Sequence, residues 1–260
     1  MIVALTLTLL AASRLSEMTP CEVDDYLCNL EHNGASFQAR LVQVAKDALG
    51  TPYADGPLGE GPKGTHDQDP LMDLAHVDCV TYIEQCIALA ASTSYAEAFQ
   101  KLQRIRYEDG QIDYESRNHF MVADWITNNA FCKDVTKKLK VETATVSRTI
   151  SRKDFFQLVK APELGQDTPD NDIELTYVPV DEVAQAEPNL PSPAIVVFVG
   201  KIDWLFALHC GLYVREPEGE GRLYHASSKA GEVVAVGLTD YLRDTDRYLG
   251  FTAYAVNAPE

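Results

Sequence analysis

The sequence predicts a single α+β domain, and three observations carry that expectation. Helical periodicity is confined to the first half of the chain and β-type runs to the second. Hydrophobic residues make up 46% and charged residues 23% of the 260 positions, enough apolar material for one sizeable core. Helices followed by strands, without βαβ alternation, argue for helices packed on an antiparallel sheet or barrel.

From the amino terminus, residues 2–12 read IVALTLTLLAA, with Arg14 the first charge after them. That length suits the apolar core of a secretory leader better than a membrane span. Ala11, Ala12 and Ser13 supply small residues for cleavage, although no Lys or Arg precedes the run. A leader over residues 1–20 and a mature domain over 30–260 are therefore expected, with the protein periplasmic or secreted. An ordinary buried segment is the alternative. Cys21 and Cys28 follow closely, and in an oxidising compartment they are candidates for a disulfide.

Residues 37–49 repeat apolar positions at helical spacing, and Gly50 ends the run. Residues 55–76 hold four Gly and three Pro and read as a long loop over a cleft. Within it His66, Asp67, Asp69, Asp73 and His76 fit neither an EF-hand nor HExxH, so no metal site is expected. Residues 80–91 are nearly apolar all round, as in a buried helix. Residues 95–106 are amphipathic, and 118–130, containing Trp125, read as a further helix. Strands are expected at 141–150, 174–180, 194–200, 208–214, 221–225, 233–236 and 251–256. The stretches 161–172 and 181–193 read as loops, and the polar residues 215–220 as a hairpin connection.

Composition narrows the function classes. Lys and Arg number 22 against 39 Asp and Glu, a net charge of −17. Such a chain is poorly suited to nucleic-acid phosphates. No run approaches the ~18 apolar residues of a membrane span. Neither a cofactor nor an oligomeric state is indicated by any motif.

The sharpest chemical feature is Asp78-Cys79 at the start of the buried helix. A cysteine in the first helical turn meets free backbone N–H groups and the positive end of the helix dipole, which favour thiolate and can serve an oxyanion. Asp78 is the expected N-cap. A buried structural cysteine is the alternative. His209 lies on the strand 208–214 and His225 at the end of the next. Pairing of those strands brings the two histidines together, making Cys79 nucleophile, His209 base and His225 orienter. Cys86, seven positions beyond Cys79, is assigned to the core. Cys210 is expected to point away from Cys79 by strand alternation.

These residues, with LGTPY at 49–53, VDCVTYIE at 77–84, IRYEDG at 105–110, SRNHF at 116–120, LHCGL at 208–212 and HASS at 225–228, run in an order that resembles the NlpC/P60 group of papain-like cysteine peptidases. The closer likeness is to its N-acetylmuramoyl-L-alanine amidase-like branch, DUF1460. The likeness spans roughly residues 37–256. It implies a papain-like fold, Cys79, His209 and His225 as the catalytic set, and peptidoglycan or a muropeptide as substrate. Tyr53 resembles the family tyrosine beside the active site, and Arg117 and His119 match its R-x-H segment at the cleft. With Asp78 these make up the expected substrate-binding set. An arginine fork suits a stem-peptide carboxylate; a structural pair with Asp113 or Glu115 is the alternative. Ser192-Pro193-Ala194 departs from the family's Gly-Asp turn, and Cys210 from its valine. The implied reaction is cleavage between the muramoyl lactyl group and L-Ala. The alternatives are γ-D-glutamyl endopeptidase action on the stem peptide, or an inactive muropeptide-binding protein.

Overall fold

The computed structural model describes residues 14–259. Residues 1–13, which hold the apolar run of the leader expected over 1–20, lie outside the described residues. The packed unit reaches back to Leu15, ahead of the boundary expected at residue 30: Leu15, Val23 and Leu27 are all buried in one core with the later helices.

Helix α1 spans Pro20–His32 and was not expected. Its start is nonetheless written in the sequence. Thr19 and Glu22 form a reciprocal capping box and Pro20 occupies the first turn. This helix also settles the two early cysteines. Cys21 and Cys28 sit seven residues apart on it, a separation of ~10 Å at the helical rise, whereas a disulfide needs Cα atoms within about 7 Å. Both are exposed free thiols, so the expected disulfide is ruled out by helix geometry. Helix α2 (Phe37–Asp47), α3 (Cys79–Ala90) and α4 (Tyr95–Arg106) follow the sequence expectation closely. Between α2 and α3, residues 55–76 contain no helix or strand.

The helix expected at 118–130 takes a different form. A π-helical turn, Met121–Trp125, runs into a short α5, Ile126–Asn128. Asp124 caps the turn by accepting the Phe120 N–H at 3.0 Å, and the Trp125 indole N–H reaches Glu84 on α3 at 2.9 Å. Asn118 stays outside the helix because its side chain donates to the Ile105 carbonyl at 3.0 Å. Wide π turns of this kind are frequent at functional sites.

Among the described residues eight strands form one open antiparallel sheet. They are β1 (Cys132–Asp134), β2 (Ala144–Ile150), β3 (Asn171–Pro179), β4 (Ala194–Gly200), β5 (Ala207–Arg215), β6 (Gly221–Ser227), β7 (Glu232–Val236) and β8 (Tyr248–Val256). The order across the sheet is β2-β3-β8-β4-β5-β6-β7, with β1 paired to β8. Three short helices, α6 (Arg152–Leu158), α7 (Val183–Ala186) and α8 (Leu238–Arg243), complete the chain; α7 falls in the stretch 181–193 expected to be loop, and α6 and α8 in stretches given no element.

Central strand β4, AIVVFVG, is buried along its whole length. Its alternate residues feed two cores. Ile195 and Val197 face α1–α4, while Val196 and Phe198 face α7 and α8. Each fully buried Val, Ile or Phe contributes roughly 1.5–3 kcal/mol, so this strand anchors the fold. The strand beside it, β5, inherits the same two-sided placement, and it carries His209 and Cys210.

Candidate active site

Asp78 caps α3 and fixes the position of Cys79. Its carboxylate accepts the Val80 and Thr81 N–H groups at 3.0 and 2.7 Å, and Thr81 returns a bond from its hydroxyl to the same carboxylate at 2.8 Å. The Asp78 N–H donates to the Thr81 hydroxyl in turn. A cap of this kind is worth about 1 kcal/mol. It also uses donors that the sequence offered to an oxyanion. Among the described residues no acceptor takes the Cys79 N–H, which leaves that group as an unclaimed helix-start donor on a residue of the cleft wall. Asp78 is therefore a positioning residue. Burial, and next the neighbouring Cys79 charge, raise its carboxyl above the usual range.

His209 stands near the start of β5 and His225 on β6. The two strands pair through the 215–220 hairpin with Leu212 opposite Tyr224 and Tyr213 opposite Leu223. Close approach beyond that register depends on Gly211. A Cβ there would stand 2.8 Å from the Tyr224 carbonyl and 3.0 Å from the His225 Cβ. With glycine in place, His209 Nε2 meets His225 Nδ1 at 2.8 Å. That contact leaves His209 Nδ1 for the thiol. Phe198 and Tyr241 lie 5.8 Å from the His209 ring, centroid to centroid, and confine it. His225 is buried, and burial together with the nearby His209 holds its pKa down to about 3. It is a neutral partner in ring-to-ring contact with His209, and it brings no negative charge.

Cys79 is partly exposed at the cleft. A hydrogen bond from the Cys210 thiol is the largest influence on its acidity. Burial opposes this, and the hydrogen bond and charge of His209 add to it. The sum holds the Cys79 thiol well below its ordinary value. Cys210 thus contradicts the expectation that it points away. It faces α3, with its Sγ 3.3 Å from the Cys79 carbonyl oxygen. Alternation does place Cys210 and His209 on opposite sheet faces, in the α3-side core and against Phe198 respectively. Cys79, however, stands over the end of β5, where neighbours from both faces reach it.

The cleft encloses about 340 Å³. Cys79, His209 and Cys210 form one side, with Asp78, Arg117 and His119 also on its wall. Tyr53 stands beside this wall: its strand-like turn bridges to Val77, next to Asp78. Burial, then the negative charges of Asp55, Cys79 and Asp78, push the Tyr53 phenol up to about 12. It is a neutral hydroxyl near the Cys79 thiol.

Arg117 does not offer a free fork. Its Nε donates to Glu60 Oε1 at 2.8 Å and its Nη2 to Asp67 Oδ2 at 2.8 Å, with the Tyr114 ring 4.8 Å from the guanidinium. Both carboxylates belong to the 55–76 loop, so Arg117 ties that loop to the cleft. The structural alternative is the one the geometry favours, with partners other than Asp113 and Glu115. His119 Nε2 is 2.6 Å from the Tyr114 carbonyl, and its ring packs on Phe155 and Phe156. Burial drives its pKa down to about 3. The loop's other titratable residues are dispersed: Asp73 pairs with His76 at 3.0 Å, and His66 approaches Glu163 at 3.4 Å.

Sequence reading missed three residues on the cleft wall. Glu84 and Arg106 are both buried, lie 3.5 Å apart and line the cleft. A single carboxylate inside an otherwise apolar helix was the available signal for Glu84. Trp204 lines the rim and is 50% exposed. An exposed tryptophan between two strands was the signal there.

A family model described as AmiA-like, N-acetylmuramoyl-L-alanine amidase-like, matches residues 43–251. Among solved structures, the chain is similar to a Legionella pneumophila protein of the DUF1460 family, at 23% identity and a TM-score of 0.82, with 92% of this chain and 96% of that one covered. It is also similar to an N-acetylmuramoyl-L-alanine amidase from Bacteroides uniformis, at 24% identity and a TM-score of 0.69, with 85% and 99% covered. At these identities the two structures show a shared fold. No curated protein matches.

Proposed function

As the chain belongs to the AmiA-like, N-acetylmuramoyl-L-alanine amidase-like family, we propose that it is a papain-like cysteine amidase that hydrolyses the bond between the muramoyl lactyl group and L-Ala in peptidoglycan fragments. The observation that carries this reading is the Cys79–His209–His225 arrangement: a thiol of lowered pKa at a helix start, an imidazole beside it, and a neutral histidine holding that imidazole. The family supplies the substrate class.

His209 Nδ1 takes the thiol proton, and the Cys79 sulfur attacks the amide carbonyl carbon. The Cys79 N–H donates to the oxygen as it becomes anionic. His209 then returns the proton to the leaving amine of L-Ala, and the lactyl carbonyl remains as a thioester on Cys79. Water, deprotonated by His209, hydrolyses it and frees the thiol. The cleft's mixture of buried charge at Glu84 and Arg106 and an exposed indole at Trp204 suits a ligand with both polar and ring-faced parts. Such a substrate agrees with an exported protein, and cell fractionation with amino-terminal sequencing tests the leader at residues 1–20.

Mass spectrometry of products from a defined disaccharide tetrapeptide tests the reaction. Release of the intact tetrapeptide beginning with L-Ala is the expected result. Release of a product cut after D-Glu would replace the reading with endopeptidase action. Unchanged substrate that nonetheless binds would leave a muropeptide-binding protein.

A further inference from the structure

Cys210 is a buried thiol that supports the Cys79 thiolate but makes and breaks no bond in the proposed reaction. Its sulfur lies 3.3 Å from the Cys79 carbonyl oxygen, and both cysteines line the same cleft. The other cysteines stand apart. Cys86 is seven residues further along α3 and buried, Cys132 is buried on β1, and Cys21 and Cys28 are on the outer surface of α1. The two sulfurs also differ in character. Cys79 is partly exposed and Cys210 is 1% exposed. That division, an accessible thiol backed by a second one shielded from solvent, is the arrangement of a redox-sensitive pair.

We propose that Cys79 and Cys210 are a covalent modification site: a hydroperoxide oxidises Cys79, and Cys210 resolves it to a reversible intramolecular disulfide that switches the nucleophile off. The proposal rests on Cys79 being the reactive thiol. In the first step the Cys79 thiolate attacks the distal peroxide oxygen. A sulfur–oxygen bond forms, the oxygen–oxygen bond breaks, and the sulfur leaves as Cys79 sulfenic acid while the peroxide is reduced to hydroxide or alkoxide. In the second step the Cys210 thiol, losing its proton, attacks the Cys79 sulfur. The sulfur–sulfur bond forms and the sulfenic oxygen departs as water. A dithiol reverses the result by two exchanges, taking both electrons' worth of oxidation as its own disulfide and restoring two free thiols. Resolution by Cys210 removes the sulfenic acid before a second peroxide can carry it to the irreversible sulfinic state.

The test is a non-reducing peptide map of the full chain after graded hydrogen peroxide. The wild type should yield a cross-linked pair of peptides, one holding Cys79 and the other Cys210, lighter than their sum by two hydrogens. Free Cys79, counted by alkylation, should be lost and then recovered with dithiothreitol. In Cys210→Val, which keeps the side-chain volume of a buried position, free Cys79 should be lost without recovery and appear as sulfinic or sulfonic acid. Cys79 of the wild type passing to the sulfinic state without the cross-link would overturn the proposal. So would a Cys79 that survives peroxide unmodified. The cross-link in the wild type decides the matter even where the variant fails to fold. Because the readout is mass, it is separate from hydrolysis: a cross-link without any amide cleavage would sustain this site and sink the amidase reading, and cleavage without a cross-link would do the reverse.

Discussion

Two groups of residues singled out by the sequence sit on one cleft and differ in how far their bonding is satisfied. Arg117 and His119 are spent within the protein. The guanidinium is held between Glu60 and Asp67, and the imidazole is bonded to the Tyr114 carbonyl inside an aromatic cluster. Cys79 and His209 are held on one side only. His209 uses one ring nitrogen on His225 and turns the other to the Cys79 thiol, and the Cys79 N–H is left without an acceptor among the described residues. Polar groups with complete partners make scaffold, because breaking them costs stability. Groups held in place with one valence open make chemistry. The contrast predicts that the two sets fail in different assays.

The largest effect is expected at the nucleophile. Cys79→Ala should abolish turnover of a disaccharide peptide while leaving the melting temperature near that of the wild type. His209→Ala should lower kcat by on the order of 10²–10⁴-fold, the usual worth of a positioned base. Turnover of Cys79→Ala at the wild-type rate, measured by chromatography of products, would remove the mechanism.

Arg117→Met should do the opposite. It leaves two carboxylates without their partner, one of them on the buried Glu60, and should destabilise by roughly 3–5 kcal/mol. Urea denaturation reads this loss. Residual folded protein should still alkylate at Cys79. A variant of full stability with greatly weakened substrate binding would instead restore the anion-gripping role.

Acid should sharpen the contrast further. His225 is buried and His119 half-buried; both are neutral, with folded pKa values about 3, below the ~6.5 of an unfolded histidine. Below pH 6.5 the unfolded chain therefore binds more protons than the folded one. Their contribution is complete above pH ~6.5 and is lost as pH falls toward 3, at up to ~1.4 kcal/mol per pH unit for each histidine. Denaturation at a series of pH values should show His119→Phe losing one such share of the slope while its stability near neutrality changes less.

The smallest effect is expected at the rim. Trp204→Ala should raise KM several-fold with kcat nearly unchanged, since an exposed ring contributes on the order of 1 kcal/mol of contact. An equal loss in kcat would move Trp204 from binding toward assembly of the reacting geometry.

Much of this architecture could be read from periodicity. Strong signals in 37–49, 80–91 and 95–106 became α2, α3 and α4 because each carries a clear apolar stripe or an apolar interior, and β4 followed from seven consecutive apolar residues. The elements that escaped have few buried residues to repeat. Helix α7 is four residues long and α8 six, and they are held by contacts with the sheet rather than by their own pattern. At the site, Cys79, His209 and His225 were legible because helix starts and paired strands place them locally. Arg117 was misjudged for the opposite reason. Its partners are 57 and 50 residues away in a loop without period, and only the folded chain brings them together. Cys210 failed on a finer point: alternation gives the face of a strand, but says nothing about what stands over its end.

The central claim is that Cys79 is a thiolate-prone nucleophile matched to His209. It is tested most directly by the pH dependence of iodoacetamide labelling at Cys79, read by peptide mass with the exposed Cys28 as the internal reference. Cys79 should label faster than Cys28 at pH 6 and reach its plateau well below the ~8.5 of a free thiol, with the advantage reduced in His209→Ala and the remainder carried by the Cys210 thiol. Labelling of Cys79 that rises only with the ordinary thiol pKa, and is unchanged in His209→Ala, would contradict the claim.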